Sequence, residues 1–173
     1  MVLLIGSETS LEGQMVDAAI QRDLIDPWIA AASTALGEMA GAAVGVQGVS
    51  RRAISSGPGD ISALVEITAA RGGFMILRLP ERTASAVAAR MLTEAQQQPD
   101  EALVRDCVGE LANVIAGQAK AMLAGGPYQF TFSIPRVSAG DLVELPARNL
   151  PGMAIALVCE HGPFTLHLLL TSS

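Results

Sequence analysis

The segment of this chain best suited to chemistry is Asp106-Cys107-Val108-Gly109-Glu110-Leu111-Ala112-Asn113-Val114-Ile115-Ala116-Gly117. It sets a carboxylate and a carboxamide three residues apart, with a glycine one turn further on. On a helix such residues are surface neighbours, so Glu110 and Asn113 can address one target while Gly117 leaves room for its approach. The pattern describes an edge built for docking and catalysis.

Stepping about 100° per residue divides the helix into two faces. Val104, Val108, Leu111, Ile115 and Met122 share one side; Asp106, Glu110, Asn113, Gly117 and Lys120 share the other. The apolar side must pack on a sheet, which turns the polar stripe outward toward a partner. A polar stripe can also serve solubility alone. Two of its residues are nevertheless poor helix choices. Asparagine competes with the backbone for hydrogen bonds, and a mid-helix glycine costs roughly 1 kcal/mol relative to alanine.

The elements that position this helix can be read from punctuation. Asp26-Pro27 opens a first helix, roughly residues 27 to 43, because Asp accepts from free amides and Pro fits the first helical position. Strands follow from Gly45 to Leu79, and Arg71-Gly72-Gly73 joins residues 61–68 to 74–79 as a hairpin. Ser56-Gly57-Pro58-Gly59-Asp60 marks another turn. Pro80 opens a second helix to about Gln96. Pro99-Asp100 opens the third, which Gly125-Gly126-Pro127 ends after about Ala124. Residues 128–171 read as strands broken at Gly140-Asp141, Asn149-Leu150-Pro151-Gly152 and His161-Gly162-Pro163. Helix, strands, two helices, then strands is the order of a two-layer α+β domain with helices packed on an antiparallel-rich sheet. Residues 1–25 are set apart as a leader, and 26–173 as the single domain.

Composition agrees with one globular domain. The chain has 173 residues, of which 50% are hydrophobic and 16% charged, a balance that excludes a disordered tail. A net charge of −6, with the 11 basic residues dispersed apart from Arg51-Arg52, argues against a nucleic-acid partner. Two cysteines give neither a disulfide framework nor a metal cluster. The expected location is cytoplasmic, since Met1-Val2-Leu3-Leu4-Ile5 stops short of a signal peptide and no apolar run spans a membrane.

Residues 109–117 resemble the signature helix of the CheX branch of the CheC/CheX/FliY chemotaxis phosphatases, whose motif is Glu-x-x-Asn followed by a glycine. Residues 70–77 fit that family's glycine-turned hairpin, and residues 132–142 its strand-and-turn segment. The resemblance implies a CheC-like α+β fold and an aspartyl-phosphate phosphatase acting on a phosphorylated CheY-like receiver domain. It assigns Asn113 to orient a water in line with phosphorus and Glu110 to pair with the receiver's active-site lysine. It implies no cofactor of the chain's own, magnesium being held by the receiver, and a homodimer paired through sheets. Ala112 stands where relatives often carry glycine. The first helix has Glu38-Met39-Ala40-Gly41, without the asparagine of a second acid–amide pair, which favours the single-site CheX type over the two-site CheC type. A non-catalytic adaptor using the same helix is the alternative.

Other residues carry plainer expectations. His161 reads as a turn residue and His167 as a strand residue facing solvent, with no metal spacing between them. Cys107 reads as a small packing residue and Trp28 as an anchor at the start of the first helix. Ser55-Ser56-Gly57-Pro58-Gly59 lacks the lysine of a phosphate loop. Arg51-Arg52 reads as a solvated strand edge.

Overall fold

The computed structural model describes residues 18–51, 60–92, 98–139 and 150–171. Residues 56–59 of the expected turn ending at Asp60, the turn at 140–141, Arg52 and Asn149 lie outside the described residues, as do residues 1–17. The second helix stops at Met91, short of the expected Gln96, because Leu92 is extended and its N–H closes the last turn on the Ala88 carbonyl. Among the described residues the α-helices α1 (Asp26–Ala40), α2 (Glu81–Met91) and α3 (Glu101–Leu123) pack on a sheet of seven strands. The strands are β1 (Gly45–Ser50), β2 (Ile61–Thr68), β3 (Gly73–Leu79), β4 (Thr131–Phe132), β5 (Arg136–Ala139), β6 (Gly152–Cys159) and β7 (Gly162–Leu170). Their order is β1-β6-β7-β3-β2-β4, with β5 also on β2, and every described pairing is antiparallel.

Side-chain alternation gives the sheet two faces. Ala63, Val65, Met75, Leu77, Ile155, Leu157, Leu166 and Leu168 point into the main core with the buried sides of the helices. The other face carries a smaller cluster, Leu64, Ile76 and Leu169, and also buries Ser62, Arg78 and His167. His167 is only 4% exposed and corrects the expectation of a solvent-facing strand residue. Alternation says which face a residue takes, but not whether that face meets water. Both ring nitrogens lack a hydrogen-bond partner among the described residues. Burial first, and the Arg78 charge second, lower its pKa from 6.5 to about 4, so the ring is neutral.

The expected hairpin forms, with Ile61 opposite Leu79 and Ile67 opposite Gly73. The turn at Glu160 and His161 joins β6 to β7, and Gly162 there has φ +129, a conformation that favours glycine. The opening of α1 differs from expectation. The described residues are already helical from residue 18, and a π-helical turn, Gln21–Ile25, leads straight into α1. Asp26 is not a side-chain cap; its backbone N–H donates to the Gln21 carbonyl, five residues back. Pro27 supplies no N–H, and the wider turn accommodates that loss without ending the helix. Leu24 and Ile25 are buried in the core, so residues 18–25 pack with the domain. At the other end Gly41, in the left-handed conformation, stops α1 before residue 43; its N–H and that of Ala42 reach back to Gly37 and Leu36.

No helix of the described residues is long and apolar enough to cross a membrane.

Candidate functional site

Helix α3 begins at Asp100, whose side chain accepts from the Leu103 N–H at 2.8 Å, and ends at Leu123. Its inner face buries Val104, Cys107, Val108, Leu111, Ala112, Ile115, Ala116, Ala119 and Leu123. Met122, assigned to that face by the helical wheel, is 47% exposed instead; the last turn directs Leu123 inward. Ala112 is fully buried, so its methyl packs within the domain and does not face a partner. Cys107 is buried too, and burial first, then the Asp106 charge, push its thiol above the ordinary pKa, which suits packing and not nucleophilic attack.

Small residues bring α1 against α3. Ala31, Ala32 and Ala35 of α1 are fully buried, as are Ala112, Ala116 and Ala119 of α3. Across that contact Gln118 donates to the Glu38 carboxylate at 3.2 Å. Glu38, the only acidic residue of the α1 segment compared with the Glu-x-x-Asn motif, is therefore engaged with α3. At the far end Trp28, 1% exposed, stacks on Phe130 with ring centroids 5.3 Å apart.

The outer face separates into two parts. Asp106, Glu110 and Asn113 line one open cleft of about 760 Å³, together with Ala102, Arg105, Gly109, Ile134, Pro135 and Val137. Glu110 and Asn113 are exposed, about 4.5 Å apart along the helix axis, and neither is bonded to the described residues. Arg105 pairs with Glu101 one turn back, leaving its Nε without a partner among the described residues. Gly117 and Lys120 lie outside the cleft. A Cβ on Gly117 would meet Phe132 Cζ at 3.9 Å, and Lys120 Nζ sits 6.0 Å from the Phe132 ring centroid. Lys120 faces a neighbouring concavity with Thr68, Gln129 and Thr131.

The second wall of the cleft is the part that the helical pattern did not contain. Residues 133–137 approach α3 because β5 pairs with β2, Val137 opposite Ala63 and Arg136 opposite Leu64. Gly109 permits that approach: a Cβ there would come within 3.1 Å of Val137 Cγ2. A second mid-helix glycine was the available signal, since its intrinsic cost suggests that something packs closely against it. Among the described residues no group of three or more His, Cys, Asp and Glu is arranged to hold a metal ion.

The family described as chemotaxis phosphatase CheX matches residues 61–157, more than half of the chain. No curated protein gives a match. Among solved structures, a protein of Desulfovibrio vulgaris Hildenborough ascribed to chemotaxis is 29% identical, covering 85% of this chain and 96% of its own, with a TM-score of 0.72. The chemotaxis protein CheX of Desulfovibrio desulfuricans is 27% identical over 84% of this chain and 97% of its own, at 0.71. CheX of Borrelia burgdorferi, solved in a complex with CheY, BeF3 and Mg2+, has the same fold at 19% identity, covering 87% of this chain and 99% of its own, at 0.66.

Proposed function

This chain belongs to the CheX family of chemotaxis phosphatases, and from that premise we propose that it removes the phosphoryl group from the aspartate of a CheY-like receiver domain. The observation that carries the reading is the pairing of Glu110 and Asn113, exposed and unengaged, on the rim of one cleft. The Borrelia burgdorferi relative in complex with CheY supports a receiver as the partner.

The chemistry asks little of the protein. An acyl phosphate is already activated, so placing a water in line with phosphorus supplies much of the acceleration. Asn113 holds that water through its amide, which accepts and donates without titrating. The water oxygen bonds to phosphorus as the bond to the aspartyl oxygen breaks, giving inorganic phosphate and the free carboxylate. Glu110 pairs with the receiver's active-site lysine and fixes the docked register; Asp106, one turn before it, extends the acidic edge. Magnesium belongs to the receiver in this reading.

The domain acts in the cytoplasm, on a protein and not on nucleic acid or membrane. It works as a homodimer, for which the outer strand β1, largely exposed, offers an edge. Phosphate release from a panel of phosphorylated receivers, with and without the protein, tests the reading. Acceleration for at least one receiver is expected. Binding without acceleration would replace the phosphatase with an adaptor, and no interaction with any receiver would remove the proposal.

A further inference from the structure

Four large apolar side chains are exposed among the described residues: Val46, Leu103, Met122 and Ile134. Ile134 stands out at 86% exposure. A single exposed isoleucine needs no explanation in itself. Its setting is what distinguishes it. Ser133, the preceding residue, is fastened twice to β2: its N–H donates to the Glu66 carbonyl at 3.0 Å, and its Oγ accepts from the Glu66 N–H at 3.0 Å. Pro135 fixes its own backbone and confines Ile134 to an extended conformation. Val137, next along, abuts α3 where Gly109 leaves space.

The segment thus holds an apolar side chain out into water from a braced backbone, at the wall facing Glu110 and Asn113 across one cleft. Leu103, 38% exposed, borders the same polar stripe on its other flank. Charged and amide groups at the centre with apolar groups to the sides suit a protein surface, because rigid apolar contacts contribute affinity at small entropic cost. A small phosphate ester would not reach both flanks.

We infer that Ile134 is an anchor for the phosphorylated receiver, seating in an apolar depression beside the receiver's active site and setting affinity without taking part in the chemistry. The inference rests on the phosphatase reading for the identity of the partner. The cleft's continuity from Asn113 to Ile134 commits that partner to both walls.

The test compares wild type, Ile134→Ser, Ile134→Leu and Asn113→Ala for KM, kcat and receiver affinity. Ile134→Ser should raise KM about tenfold with kcat within twofold of wild type, and Ile134→Leu should restore KM. Thermal midpoints should stay together, since an exposed side chain leaves the core intact. If Ile134→Ser keeps the wild-type KM while Asn113→Ala loses turnover, the anchor is wrong and the phosphatase reading stands. If wild type binds a receiver without turnover and Ile134→Ser weakens that binding, the anchor stands and the phosphatase reading fails. Absence of binding to every receiver overturns both.

Discussion

The two halves of the α3 polar stripe begin from similar sequence and end in different surroundings. Toward the N-terminus, Asp106, Glu110 and Asn113 open onto a cleft whose far wall is Ile134, Pro135 and Val137. Toward the C-terminus, Gly117 and Lys120 meet Phe132 of their own chain. One strand segment produces both results. At Phe132 it lies against the helix, and over 133–137 it forms the opposing wall. A helical wheel tells which residues leave the core; the chain that stands opposite decides which of them share one cleft.

That contrast can be broken or sharpened by substitution, in descending order of effect on turnover. Asn113→Ala should lower kcat about a hundredfold or more, because an unpositioned water loses in-line geometry; single-turnover phosphate release measures it. Glu110→Lys should weaken receiver affinity about tenfold by setting like charges together, seen by titration calorimetry. Gly109→Leu should cost several-fold in KM by driving Val137 off α3, with kcat less affected. In the C-terminal half, Gly117→Ala should leave turnover within twofold and raise stability by roughly 1 kcal/mol, since its methyl would meet only an ordinary contact with Phe132. A large loss of turnover there would contradict the division of the stripe.

A control lies on the opposite face of the sheet. His167 titrates at about 4 in the folded chain and at 6.5 when unfolded. The unfolded state therefore takes up the proton first as pH falls. Stability from this residue is full above 6.5 and declines by roughly 3 kcal/mol as pH drops to 4. His167→Leu should flatten the denaturant midpoint over that window and leave turnover unchanged.

Much of the frame was legible because its signals are local. Asp100 capping α3, Gly125-Gly126-Pro127 following it, and the glycine turn between β2 and β3 each act within a few residues. The misreadings arose where distant parts meet. The α-helix does start at Asp26 with Pro27 in its first turn, but Asp26 is no cap: Leu24 and Ile25 have core to pack against, and a π-helical turn runs directly into the helix. His167 follows strand alternation, yet its face is covered. The acid–amide pair was legible as a pair. The wall opposite it was not, because β5 reaches α3 only by pairing with β2, some seventy residues earlier in the chain.

The most direct test of the account is to measure affinity and turnover together for Asn113→Ala on a phosphorylated receiver that the wild type hydrolyses. Affinity near the wild-type value with turnover lost would match a residue that orients water. Turnover retained, or turnover lost only in proportion to affinity, would contradict the role given to Asn113.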